Sequence, residues 1–192
     1  MTEIELREIA KCPLDVQMLV REIRNQESVR TAMYTEHEIS ESEHLNWIEK
    51  LKSDVTQKVF VILKERTEPV GVVSLNAIDG LHKKADWAFY LDQEQRGGLG
   101  AAIEYMLIVY AFENCGLEKL NCEVIETNPK VVKMHRKFAF VEEGFRRSNV
   151  VKNGIRVGVY FLGLTKEDWE KQKEKIYDSY KSIFEKFTII FS

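Results

Sequence analysis

Three cysteines and three prolines in 192 residues leave little material for a stapled or kinked scaffold. Cys12, Cys115 and Cys122 are odd in number and lack metal-ligand spacing. That argues against a disulfide framework or a metal centre and points to free thiols in a reducing cytoplasm. No apolar run approaches the roughly 20 residues that span a bilayer, so no membrane role is expected. The first residues also lack the basic and apolar regions of a signal peptide. Positive charge is not in excess: 28 Lys and Arg against 31 Asp and Glu give a net charge of -3. Phosphate neutralisation needs a basic face, so a nucleic-acid partner is not expected. Repeats, low-complexity tracts and linkers are absent before the last thirty residues.

What is present is an ordinary globular composition, 44% hydrophobic and 31% charged, at a length suited to one domain with an appendage. The chain is organised around Tyr90 to Ala102. An apolar run from Trp87 to Leu91 reads as the end of a strand, and Gln95-Arg96-Gly97-Gly98-Leu99-Gly100 reads as a bend. Ile103, Met106, Leu107, Tyr110 and Ala111 then fall at helical spacing. Strand, glycine bend and helix in that order make an anion cradle, because glycines admit a bulky anion to the backbone and free N–H groups at a helix start point at it. It is not a Walker loop, since no Lys-Ser or Lys-Thr follows the glycines, and the spacing is not G-x-G-x-x-G.

Around this centre the pattern predicts a first strand over residues 2–9 and a helix from Leu14 to about Asn25. An irregular segment, Gln26 to Ile39, follows and reads either as a substrate loop or as a plain connector. Ser40 with Glu43 forms a capping box ahead of Leu45, Ile48 and Leu51. Val59–Leu63 and Val70–Leu75 read as a hairpin, Ala85–Leu91 and Leu120–Ile125 as further strands. Asn128-Pro129 opens a helix with Asn as N-cap. Phe140–Val151 and Arg156–Leu164 flank Asn153-Gly154, a strong hairpin signal. Thr165 with Asp168 caps a last amphipathic helix, whose apolar stripe from Trp169 to Phe187 should pack on the domain or on a second subunit as a homodimer. The apolar end, Thr188 to Phe191, favours docking over fraying.

The motif carried by Gln95, Gly98 and Gly100 resembles the pyrophosphate signature of the GNAT acetyltransferases. A second stretch, Glu126 to Arg146, is similar to the same family. It keeps Asn128 and Phe140-Val141-Glu142-Glu143-Gly144, but has Ala139 where glycine is usual and His135 where tyrosine is common. Arg24-Asn25, Met33-Tyr34, His44-Leu45, Trp47 to Lys52, Gly71 to Leu75, His82-Lys83 and Leu120 to Val124 resemble a narrower group, the PseH-type acetyltransferases of pseudaminic acid biosynthesis. Rim-type enzymes, which acetylate protein N-termini, share the C-terminal half almost as well.

The resemblance implies an α/β (α+β) GNAT fold, a mixed, mostly antiparallel twisted sheet flanked by helices. The transferase domain would cover residues 1–165, with a C-terminal helical extension over 166–192. It implies acetyl-CoA as co-substrate, no metal, and transfer to the 4-amino group of a UDP-linked amino-dideoxy sugar in the cytoplasm. Gln95, Arg96, Gly97, Gly98, Gly100, Ala101 and Asn128 would hold the coenzyme, alongside the strand Phe89, Tyr90 and Leu91. Lys133, Arg136 and Lys137 would lie near its phosphate end or form a solvated helix face. Glu123 would be the base, or else face solvent or pair with a cation; Ser74 would orient amine or water, or be an ordinary strand serine. His135 would protonate the departing thiolate, or be a partly buried or surface histidine on its helix. Arg24, Arg30, Met33, Tyr34, His82 and Tyr90 would meet the acceptor. A Rim-type N-terminal acetyltransferase and a catalytically silent acyl-CoA-binding domain are the rival readings, the latter because of His135.

Overall fold

A computed structural model describes residues 1–95 and 97–192 of the chain. The first strand, β1 (Thr2–Glu8), leads into α1 (Leu14–Asn25), a short turn α2 (Glu27–Arg30) and α3 (Glu41–Leu51). Three antiparallel strands follow, β2 (Lys58–Lys64), β3 (Glu68–Asp79) and β4 (Lys84–Leu91). Then come α4 (Leu99–Val109), β5 (Lys119–Ile125), α5 (Pro129–Lys137), and the hairpin of β6 (Val141–Lys152) and β7 (Ile155–Thr165). The chain ends in α6 (Lys166–Phe184) and β8 (Phe187–Phe191).

Local chemistry accounts for several of these boundaries. The side chain of Ser40 accepts from the Glu43 amide while Glu43 reaches back to the Ser40 N–H, so α3 starts on a complete capping box. Thr165 caps α6 through the Asp168 amide. Asn153 and Gly154 both take positive φ, 49° and 77°, the conformation that a two-residue turn needs to match the twist of β6 and β7.

Among the described residues, eight strands form one sheet in the order β6-β7-β5-β4-β3-β2-β1-β8. Side chains alternate between its faces. Phe60, Ile62, Val73, Leu75, Trp87, Cys122 and Val124 join α4, α5 and α6 in the larger core. Val59, Val61, Leu63 and Val72 pack with α1 and α3 on the other face. α6 crosses the first face, burying Trp169 and Ile176, and sets Tyr180 against Phe138 and Phe184 against Tyr105.

The helix expected over the last residues stops at Phe184, and the tail beyond it is a strand. β8 pairs in parallel with β1, from Thr2↔Phe187 to Leu6↔Phe191. The run Thr188-Ile189-Ile190-Phe191 is β-branched and aromatic, which suits a pleated surface better than another helical turn. Phe191 stacks on Tyr110 with centroids 4.1 Å apart and meets Phe60 edge-on at 5.3 Å. Phe191→Ala should therefore cost about 2 kcal/mol in urea unfolding, below the full range for a buried aromatic because Phe191 is half exposed. An unchanged midpoint would mean that β8 contributes no stability.

Candidate active site

The parallel pair at the centre of the sheet is hydrogen-bonded over only three positions, Lys84↔Lys119, Ala85↔Leu120 and Asp86↔Asn121. Beyond them β4 stays paired with β3 as far as Leu91↔Gly71, and β5 with β7 as far as Ile125↔Val159. Trp87–Leu91 and Cys122–Ile125 therefore face each other with no ladder between them. The inner edges of both strands keep main-chain donors and acceptors for something other than the sheet. α4 starts beyond the end of β4 and α5 beyond the end of β5, so two helix N-termini flank the mouth of this opening.

At the first mouth Gly97 and Gly98 take φ of 83° and 93°, a region costly for other residues, and Gly98 is the N-cap of α4. Gly100 and Ala101 lie in the first turn, where a Cβ on Gly100 would sit 3.6 Å from both Leu91 and Phe89. The approach to the bend is fixed from the other face of the sheet. Gln26 donates to Asp92 Oδ2 at 2.6 Å and accepts from the Gln93 amide at 3.1 Å, and the Gln95 amide closes a turn onto the Asp92 carbonyl at 3.0 Å. α6 roofs the bend: Ile183 Cγ2 lies 2.5 Å from where a Cβ on Gly98 would stand. Arg96, expected among the coenzyme contacts, lies outside the described residues.

Asn128 occupies the N-cap position of α5 with Pro129 behind it, but its side chain makes no capping bond. Its ψ of 59° falls well short of the 161° at which Ser40 swings its oxygen over a first turn. The expected cap is thus absent and the carboxamide is left for other partners.

On the opposite face the alternation of β5 turns Glu123 away from Cys122 and Val124. The Tyr34 hydroxyl donates to Glu123 Oε2. Burial, then this bond, pushes the Tyr34 hydroxyl well above the ordinary phenol range, so it stays a donor at neutral pH. The segment carrying Tyr34 is pinned at several points. Asn25 exchanges hydrogen bonds with the Ile39 main chain at 2.9 and 2.8 Å. Arg30 donates to the carbonyls of Asn25 and Glu36 at 2.9 and 2.8 Å. Lys152, buried under the segment, pairs with Glu36 at 3.1 Å and donates to the Met33 carbonyl. Arg30, expected to meet the acceptor, has its Nε and Nη1 on these loop carbonyls and its Nη2 3.7 Å from Glu38. Met33 likewise contributes its carbonyl to the pin.

Beside this wall lies a cavity of about 310 Å³ lined by Arg24, His44, Trp47, Ser74, Asn76 and Tyr90, among others. Arg24 donates Nη2 to Thr35 Oγ1 at 2.7 Å, while its Nη1 is buried with no partner. Burial lowers the guanidinium from its usual value, opposed by the neighbouring Tyr90. Ser74 accepts from Asn76 Nδ2 at 2.9 Å and donates to the Ala88 carbonyl at 3.4 Å. His82 does not join this group. It sits in the β3–β4 turn, bonded to Asp79 at 2.8 Å, at the end of β4 remote from the glycine bend.

His135 is buried in the α4–α6 face at 3% exposure, its Nδ1 2.7 Å from Oε1 of Glu104, which is 0% exposed. Its ring meets Trp87 edge-on at 5.0 Å and Phe140 at 5.5 Å. Sequence reasoning missed Glu104. The available signal was that it is the single charged residue in the run Leu99–Val109. On α5, Lys133, Arg136 and Lys137 are exposed; Arg136 pairs with Glu142, and Arg136 and Lys137 line the cleft against α6.

Lys152→Met removes the buried cation that holds Glu36 and two carbonyls. It should lower stability by about 2 kcal/mol, less than for a fully buried pair, and open residues 27–39 to limited proteolysis. An unchanged digestion pattern would contradict the pinned wall.

The family model for the acetyltransferase (GNAT) domain matches residues 3–141. A Bacillus subtilis protein, YdaF, provisionally named a ribosomal N-acetyltransferase, is 30% identical over 104 residues, 54% of this chain and 57% of YdaF, so less than two thirds of that relative is spanned. The acetyltransferase PseH of Campylobacter jejuni is 26% identical over 122 residues, covering 64% of this chain and 74% of PseH. Among solved structures, spermidine N-acetyltransferase of Vibrio cholerae in complex with CoA and spermine superposes with a TM-score of 0.79 at 21% identity, over 87% of this chain and 98% of that one. The matched residues run from β1 through α5 and so include both strands of the open pair and both flanking helices. This chain belongs to the GNAT acetyltransferases, a family whose members take their acetyl group from acetyl-CoA.

Proposed function

We propose that this protein is an acetyl-CoA-dependent N-acetyltransferase acting on the 4-amino group of a UDP-linked amino-dideoxy sugar, as on the pseudaminic acid route. The observation that carries this reading is the opening between β4 and β5, with a glycine-lined helix start at its mouth, and with Glu123 of β5 bonded to Tyr34 and Tyr90 of β4 lining a cavity on the other face. Two reactants can then meet through the sheet from opposite sides. Residues 1–165 would form the transferase domain and 166–192 an extension whose helix roofs the coenzyme end. The three free thiols suit the cytoplasm, where both substrates would be found.

The residues present fit the coenzyme. Positive φ at Gly97 and Gly98 turns main-chain amides outward ahead of a helix dipole, a match for a diphosphate without any side-chain charge. Gly98, Gly100, Ala101 and the Gln95 bend would hold it there, and the freed edge of Phe89–Leu91 would run beside the pantetheine arm. When bound, the coenzyme supplies an activated acyl carbon. Glu123 takes a proton from the acceptor ammonium, directly or through water, and the freed nitrogen attacks that carbon. A β4 amide meets the negative charge that builds on the acyl oxygen, a contribution of about 3 kcal/mol. His135 returns a proton to the departing sulfur.

The cavity lining carries a cation, Arg24, and a carboxylate, Glu43. Arg24 has a buried, unpartnered nitrogen, which suits a phosphate or carboxylate at its end of the cavity. Tyr90 and Trp47 offer flat surfaces for a base. Ile39 at the end of the pinned segment lines the cavity, and Thr35 is tied to Arg24 of its lining, which suits a pocket, where a protein N-terminus would need an open groove.

Coenzyme release measured with a UDP-4-amino sugar, spermidine and an N-terminal peptide should give turnover with the sugar alone. Turnover confined to spermidine or peptide would overturn the acceptor. Glu123→Gln should reduce kcat about 100-fold or more with KM for acetyl-CoA unchanged; equal kcat would remove the base. Gly98→Val would be strained at a φ of 93° and would strike Ile183, so acetyl-CoA affinity should fall at least about tenfold by titration calorimetry. Normal affinity would contradict the cradle.

A further inference from the structure

We infer that Glu104 is a positioning residue for His135, forming with it a buried carboxylate–imidazole pair that delivers a proton to the departing thiolate. This rests on the transferase reading above and extends it to a residue on a different helix. The pair sits at the apex of the opening: Trp87, against which the His135 ring packs, is the first residue of β4 past the ladder, and Cys122 is the first of β5.

The geometry departs from what packing alone would select. Two ionisable side chains lie in an otherwise apolar layer of Ile103, Leu107, Val132, Phe138 and Phe140. Glu104 Oε2 is buried with no partner, so the carboxylate is only half satisfied. Such a pair is commonly less stable than apolar residues of the same size, and a half-satisfied one more so. Burial drives the Glu104 carboxyl up and the bond to His135 draws it back. The other ionisable groups that meet the pair, among the described residues, are the Cys122 thiol of β5 and the Tyr180 hydroxyl of α6. Burial pushes both upward and keeps them uncharged, leaving Glu104 to set the charge around the ring. Trp87 of β4 and Phe140 carry no ionisable group.

With Nδ1–H fixed on Glu104 Oε1, the remaining ring nitrogen, Nε2, carries the transferable proton. The Nε2–H bond breaks, an S–H bond forms on the departing thiolate, and the electron pair stays on Nε2. The attacking nitrogen sheds a second proton as it becomes the amide, which matches the one the ring regains from solvent, and the ammonium proton taken by Glu123 is released. A thiolate leaves tolerably well unaided, so the assistance is partial.

Glu104→Gln keeps an oxygen for Nδ1–H but removes the charge. Coenzyme release should fall about tenfold at neutral pH, both with the UDP-4-amino sugar and in the slow hydrolysis of acetyl-CoA to water. The alkaline limb of the rate profile should move to lower pH, and KM for acetyl-CoA should not change. A slowly exchanging imidazole Nδ1–H resonance should appear in the wild type, persist in Glu104→Gln and vanish in His135→Phe. To separate chemistry from folding, the double variant Glu104→Leu, His135→Met should unfold at the same or higher denaturant concentration yet turn over no faster than His135→Phe. Wild-type rate and pH profile in Glu104→Gln, or no such resonance in the wild type, would overturn the inference. The resonance and the hydrolysis need no acceptor, so failure with the sugar alone would count against the acceptor reading and not against the pair.

Discussion

The proposed site depends on two parallel strands that stop pairing after three residues. β4 and β5 are each held firmly on their outer side, by β3 and by β7, and these antiparallel ladders run on where the central one ends. An unpaired main chain inside a sheet is expensive unless water or a ligand completes it. The aromatic group of Trp87, Phe89, His135 and Phe140 lies where the strands part, with Trp87 and Phe89 stacked in near-parallel planes. These rings give the apex of the opening a rigid base on the α4–α6 face. The rings satisfy no main-chain group, so the free edges remain for water or for a substrate that brings its own amides.

The two-residue alternation of the strands then assigns chemistry to faces. On β4, Phe89 and Leu91 pack toward α4 while Tyr90 turns to the cavity; on β5, Cys122 and Val124 enter the large core while Glu123 turns to Tyr34. The two faces are not independent. Gln26 at the end of α1 holds Asp92 and Gln93, so the acceptor wall and the approach to the glycine bend share one set of bonds. On the far side Ile183 of α6 sits on Gly98, and β8 anchors that helix to β1. A shift of α6 would therefore be felt directly at the bend.

Much of this was legible in the residues because it is local. The Ser40–Glu43 box, the Asn153-Gly154 turn, the glycine bend and the start of α5 at Pro129 each carry their own signal, and each element stands where those signals put it. What could not be read depends on partners distant in the chain. The tail was recognisably apolar, but nothing in it specifies β1 as its partner across more than 180 residues. The side chain of Asn128 has the right type for a cap and the wrong ψ, a detail of how β5 delivers the chain. Arg30 reads as an acceptor contact because its carbonyl partners lie in an irregular loop, where no pattern predicts them. The Glu104–His135 contact joins two helices, and only the oddity of one carboxylate in an apolar helix hinted at it.

The most direct test is a crystal structure with coenzyme A bound. The account predicts the diphosphate on the main chain of residues 97–101 and the pantetheine arm between β4 and β5, beside Phe89–Leu91, with the sulfur near Trp87 and His135. Coenzyme seated elsewhere, or β4 and β5 drawn into a continuous ladder through Leu91 and Ile125, would contradict it.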